Sequence, residues 1–184
     1  MKSKQIKVMA VTAILMAFNI VLSSFGVPVP GGHMYLNDVI ICTAAILLNP
    51  FGAFMVGGVG AFIGDLLFYP TPMFVSLVTH GLQAVVISLA TRRLGKDRPS
   101  GSAIGVAIGA VIMVVGYSLG RAFIYSTPEY ALLKLPFQIA QAVVGAVVGW
   151  LLCWKCKIAE LYEKRFAFWS ASSCMESTIW LREA

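Results

Sequence analysis

The chain has 184 residues, 59% of them hydrophobic and 12% charged, with a mean hydropathy of +0.84. So little charge excludes a soluble domain of this length, whose surface would carry roughly twice as much. The formal net charge of +6 is not the footprint of a nucleic-acid binder. Its cations cluster at the ends of apolar runs, where they set membrane topology, and no nucleic-acid partner is expected.

Lys2, Lys4 and Lys7 precede an apolar run from Val8 to Leu22. This combination resembles a secretory signal, but the small-residue cleavage site is poor and more apolar runs follow, so it reads as an uncleaved first helix. Residues Phe25 to Asn37 contain Gly26, Pro28, Pro30, Gly31 and Gly32 and read as a loop. Val39 to Leu48 is apolar but short, and Asn49-Pro50-Phe51-Gly52 ends it as a turn. Ala53 to Phe68 is the third run, stopped by Tyr69-Pro70-Thr71-Pro72, and Met73 to Ala90 is the fourth. A polar loop, Arg92 to Gly101, leads to a fifth run from Ala103 to Tyr125. Ser126 to Tyr130 forms another loop, and Leu135 to Trp154 is the sixth run. A membrane-crossing helix needs roughly 20 residues, so the second run is expected to be a short or tilted span.

Six spans with a cytoplasmic N-terminus place Lys2, Lys4, Lys7, Arg92, Arg93, Lys96, Arg98, Lys155, Lys157, Lys164, Arg165 and Arg182 inside. Only Arg121 and Lys134 remain outside. Twelve cations against two is a strong positive-inside bias, and it requires an even number of spans. The fold class expected is therefore an all-α integral membrane protein in the cytoplasmic membrane. It is a compact bundle of six transmembrane helices with both termini cytoplasmic. Residues 1–157 form the membrane domain and 158–184 a cytoplasmic tail of no assigned structure or role.

Small residues recur four apart at Gly60/Gly64, Gly105/Gly109, Gly116/Gly120 and Gly145/Gly149, which places each pair on one helix face. Such faces let backbones approach closely, the main source of helix association in lipid, and the glycine pairs read as internal packing. Ala13 and Ala17 share the spacing on the first helix. Spacing alone leaves that face open to internal packing or to docking of another protein. Cys153 and Cys156 form a lone C-x-x-C without a second ligand pair, so no metal site is expected, and no cofactor. Gly57-Gly58-Val59-Gly60 lacks the spacing and the Lys-Ser/Thr of a phosphate-binding loop, so the chain carries no ATPase of its own.

His33-Met34-Tyr35-Leu36-Asn37-Asp38-Val39, Asn49-Pro50-Phe51-Gly52-Ala53, Gly57 through Leu66, and Gly81-Leu82, taken together, resemble the S component of energy-coupling factor (ECF) transporters, in the large branch that includes the riboflavin-type proteins. With Ala13-x-x-x-Ala17 and the six-span plan, the resemblance covers about residues 5–157. It implies a small membrane subunit that captures a vitamin or precursor from outside and docks on a module of one transmembrane coupling subunit and two ABC ATPases. Ala13 and Ala17 would then contact the coupling subunit. The loop before the second helix would act as a lid, over a pocket among the outer halves of helices four to six. Pyridoxine, hydroxymethylpyrimidine, pantothenate and riboflavin all stay open as cargo.

Polar groups within spans are costly and are functional candidates by default. The outer ends of helices four to six carry Phe74, Tyr117, Arg121, Gln138 and Gln141, with His80 deeper, and the lid supplies Tyr35 and Asn37. Rings that stack and amides that orient suit a flat heterocycle, and Arg121 suits a carboxylate, phosphate or ring oxygen. Arg121 is also placed to snorkel to the interface. Asp38 is expected to cap the second helix, and Asp65 to pair with Arg121 or cap the loop that holds Asn37. Two rival classes fare worse. A membrane enzyme needs a nucleophile with its base, or clustered ligands, and the two His residues lie on different elements. A stand-alone secondary transporter is the alternative function, but the inverted repeats usual in that class are not evident.

Overall fold

A computed structural model describes residues 2–30, 32–94 and 99–164. In chain order the elements are α1 (Lys2–Ser23), β1 (Gly26–Val29), β2 (Gly32–Tyr35), α2 (Asn37–Leu47), α3 (Pro50–Phe68), α4 (Met73–Arg93), α5 (Pro99–Tyr125) and α6 (Pro128–Trp154). Residues 158–164 add a short helix. The tail beyond, including Phe166 to Leu181, lies outside the described residues.

Five helices, α1 and α3 to α6, are long and apolar enough to cross a membrane, so the chain is a multi-pass membrane protein. The second apolar run is not a sixth span of that kind. The helix α2 has 11 residues and rises about 16 Å, roughly half of a hydrocarbon core. Its shortness fits its position. Nine of its residues are buried, so it sits inside the bundle against α1, α4 and α6 rather than facing lipid. Ile41, Ala44, Ala45 and Leu48 are at most 1% exposed and centre the core. By contrast, Ile14, Phe18, Val78, Val111 and Val147 are exposed on the bundle's outside, as lipid-facing positions require.

The glycine pairs sit where helices meet. On α3, a Cβ at Gly60 would meet Asn19 Nδ2 at 2.8 Å, and one at Gly64 would meet Ser23 Oγ at 2.6 Å. The α5 stripe Gly105, Gly109, Gly116 and Gly120 lies against Ile87, Thr79 and Val75 of α4. On α6, Gly145 lies against Asp38 and Gly149 against Cys42 of α2. Ala13 and Ala17 are different: both are exposed.

Two turns are wider than α-helical. Met55–Val59 within α3 and Arg121–Tyr125 at the end of α5 are π-helical. The first carries Gly57 and Gly58 against the α4 backbone, where a Cβ would approach His80 O at 2.9 Å and Gly81 Cα at 3.0 Å. The second lies beside the site described below, a common location for such turns.

The segment expected to be a plain loop is instead an antiparallel hairpin, so the all-α expectation holds for the spans but not for this connection. Gly26 pairs with Tyr35, Val27 with Met34, Pro28 with His33 and Val29 with Gly32. Glycine and proline density reads as turn chemistry, but the interleaved Val27, Val29, Met34 and Tyr35 are good strand residues. Gly32 has φ of 128°, a region L side chains rarely adopt, and a Cβ there would lie 3.2 Å from Lys134 Nζ.

Candidate functional site

One end of the bundle gathers polar side chains around a cavity. The hairpin, the Tyr69–Pro72 connection and the Tyr125–Tyr130 connection meet over a cavity of about 300 Å3. Lys7, Arg92, Arg93, Lys155 and Lys157 belong to the opposite ends of their helices. Around and behind the cavity lining, side chains satisfy one another across helices.

Asp38 is the hub. It is 1% exposed and does not cap α2: the capping position is Leu36, which makes no side-chain cap bond. Two residues further in, Asp38 points sideways and accepts from Gln83 Nε2 at 3.2 Å and from Gln141 Nε2 at 2.7 Å. Gln83 Oε1 lies 2.7 Å from His80 Nδ1, and that nitrogen is 3.8 Å from Asp38. The other end of the Gln141 amide accepts from the backbone N–H of Tyr35 at 3.0 Å. One amide thus joins the hairpin to a carboxylate buried between α2, α4 and α6. The close approach of α6 at Gly145, whose missing side chain lies over Asp38, makes this reach possible.

A second cluster forms the wall. Asp65 accepts from Ser76 Oγ, and the same hydroxyl is bonded to Tyr117 Oη. Asp65 therefore pairs with α4, not with Arg121 and not with the Asn37 loop. The Tyr117 ring lies 5.1 Å from that of His80 at 59°. Arg121 donates to Gln138 Oε1 at 2.7 Å and stands 5.7 Å over the Tyr125 ring. Gln138 in turn donates to the carbonyl of Val114 at 3.1 Å, which fixes its amide against α5. Lys134 donates to the His33 carbonyl under the hairpin turn. Desolvation of Tyr35 at the end of β2, then the nearby Asp65 and Tyr69, pushes its phenol above the usual range, so it stays neutral.

Of the residues singled out from the sequence, Tyr35, Asn37, His80, Tyr117, Arg121, Gln138 and Gln141 all line this cavity. Phe74 does not. It is 64% exposed on the outside of α4, with its ring 5.7 Å from that of Phe62. A position near a helix end gives depth but not azimuth, and Phe74 falls on the wrong side. Sequence reasoning gave no ligand role to Asp65, Tyr69, Met113, Tyr130 and Lys134, which also line the cavity. The signal for Lys134 was present: it and Arg121 are the two cations left at this end by the charge count.

A family model described as the ECF-type riboflavin transporter, S component, matches residues 3–157. The chain belongs to this family of S components. It is similar to the thiamine precursor transporter HmpT of Lactococcus lactis subsp. cremoris, 31% identical over 157 residues, covering 83% of this chain and 89% of the relative. It is also similar to an uncharacterized protein of Pyrococcus woesei, 30% identical over 125 residues, covering 67% of this chain and 82% of that one. An S component is a transporter subunit for a vitamin-type solute, not an enzyme. Most groups in the polar clusters above are already hydrogen-bonded to one another, which preorganises the cavity walls.

Proposed function

We propose that this S component captures a water-soluble vitamin or precursor of about one ring and delivers it inward when docked on a transmembrane coupling subunit and two ABC ATPases. The observation that carries the reading is the cavity itself. It is roofed by the hairpin, walled by Tyr117, His80 and Tyr35, and supplied with directional groups by Asn37, Arg121, Gln138 and Gln141. Its volume of about 300 Å3 is at the small end of the roughly 300–1,000 Å3 typical of ligand pockets. That favours a single-ring solute such as hydroxymethylpyrimidine or pyridoxine, or the unringed pantothenate, over the fused rings of riboflavin. The name of the Lactococcus relative, a thiamine precursor transporter, points the same way.

The positive-inside rule orients the hairpin end outward and both termini inward, with six segments crossing or entering the cytoplasmic membrane. The exposed Ala13 and Ala17 on α1 offer the coupling subunit a flat face for close backbone approach.

The test is mass spectrometry of small molecules that copurify with the detergent-solubilised protein, paired with uptake in cells with and without the coupling module. A bound vitamin-type solute and module-dependent uptake support the reading. Uptake without any ATPase module supports a stand-alone secondary transporter instead.

A further inference from the structure

Arg121 and Lys134 are 8% and 6% exposed, and both line the cavity. An interfacial arginine or lysine that snorkels ends in water. These two are buried and line the cavity instead, Lys134 against the hairpin. Each has a neutral acceptor: the Gln138 side chain for Arg121, and the His33 backbone carbonyl for Lys134. Among the described residues, neither has a carboxylate within ion-pair distance. The acid on the same cavity wall, Asp65, takes its hydrogen bond from Ser76. The other buried acid, Asp38, is engaged by Gln83 and Gln141.

Burying a charge without a counter-charge is costly. A guanidinium has five N–H donors and an ammonium three, and the partners they find here, Gln138 and Tyr125 for Arg121 and the His33 carbonyl for Lys134, are all neutral. Both side chains line the cavity, with donors left over for a bound group. Their positions are fixed rather than adaptable. Gln138 and the Tyr125 ring hold the guanidinium, and the His33 carbonyl holds the ammonium next to Gly32, where a side chain would crowd it. Such an arrangement lacks an oxyanion.

We infer that the solute is an acid, whose carboxylate or phosphate sits between Arg121 and Lys134 while its body lies against Tyr117 and His80. This deepens the capture role proposed above, rests on it, and narrows its cargo to an acid such as pantothenate or a carboxylated or phosphorylated single-ring solute, in place of neutral hydroxymethylpyrimidine or pyridoxine. The anion would complete both cations, and by engaging Lys134 it would tie the occupied cavity to the hairpin that roofs it.

The experiment measures binding to the full-length protein in lipid nanodiscs with matched sets of probes. Pyridoxine, its 4-carboxylate and its 5′-phosphate form one set. Hydroxymethylpyrimidine and its monophosphate form a second, and pantothenate and its alcohol analogue panthenol a third. The expected result is that, in the set that binds, the acid is preferred over its alcohol by at least about tenfold. Whether the carboxylate or the phosphate leads identifies the anion. Arg121→Gln and Lys134→Gln should each reduce the acid-to-alcohol ratio about tenfold, and Lys134→Arg should restore it. A variant that merely misfolds would lose both probes together, and the restored ratio in Lys134→Arg guards against that reading. An alcohol that binds as tightly as its acid, with a ratio insensitive to both Gln variants, overturns the inference and leaves the capture role standing. Absence of binding by every probe, with no copurifying vitamin-type solute, overturns the capture role itself.

Discussion

Removing the side-chain amide of Gln141 should loosen the hairpin in a way that can be read at one amide proton. In Gln141→Leu the shape is roughly kept, but two bonds vanish: Tyr35 N–H to Oε1 at 3.0 Å, and Nε2 to Asp38 at 2.7 Å. The first is a neutral bond worth about 1 kcal/mol, and the second is to a carboxylate and worth about 1.5–3 kcal/mol. The sum, about 2.5–4 kcal/mol, should appear as a lower unfolding temperature. The first part alone governs local opening of the hairpin, so exchange at the Tyr35 amide should accelerate about fivefold. Gln141→Glu separates the two parts. Its carboxylate still accepts from Tyr35 but cannot donate to Asp38, and it sets a second negative charge beside the first. Exchange at Tyr35 should then stay slow while stability falls at least as far as in the leucine variant. The assays are hydrogen exchange read at single-residue resolution and thermal unfolding in the same detergent. Unchanged exchange at Tyr35 in Gln141→Leu would refute the claim that this amide tethers the hairpin.

Other outcomes follow from neighbouring geometry. A Cβ at Gly145 would lie 2.4 Å from Asp38 Cβ and 3.1 Å from its backbone carbon, whereas one at Gly109 would meet the flexible end of Ile87 at 2.5 Å. Gly145→Ala should therefore cost about 1–3 kcal/mol and Gly109→Ala clearly less, compared by thermal unfolding. Ser76→Ala strips Asp65 and Tyr117 of a shared hydroxyl, and should cost about 1.5–3 kcal/mol in the same assay. Ala13→Trp or Ala17→Trp, on an exposed face of α1, should abolish uptake while ligand binding persists. Equal loss of both activities would mean that the face packs internally.

Most of the membrane architecture was legible because hydrocarbon imposes one rule along the whole chain: long apolar runs between polar turns. The glycine pairs were legible for a similar reason, since four-residue spacing fixes a face whatever the partner. What was hidden depends on who the neighbours are. The buried position of α2 explains why 11 residues suffice, but its neighbours on α4 and α6 come from far along the sequence. The hairpin was masked by the glycines and prolines that make its turn. Asp38 sits where a capping residue belongs by sequence, yet its acceptors are taken by amides 45 and 103 residues away. Phe74, expected at the site, is exposed on the outside of its helix, while Lys134, given no role there, lines the cavity. Near a helix end, small differences in azimuth decide between lipid and cavity, and α6 carries Pro136 between Lys134 and Gln138, where a proline disturbs regular helix geometry.

Sidedness decides whether this cavity can receive a solute from outside. The direct test is labelling of single-cysteine variants in intact cells with a membrane-impermeant maleimide, after replacing the native cysteines. Ser126→Cys, at the cavity mouth, should react from outside and react more slowly when cargo is supplied. Arg93→Cys should react only after the membrane is opened. The reverse pattern, with position 93 open to the medium and position 126 shielded, would contradict an outward-facing capture site.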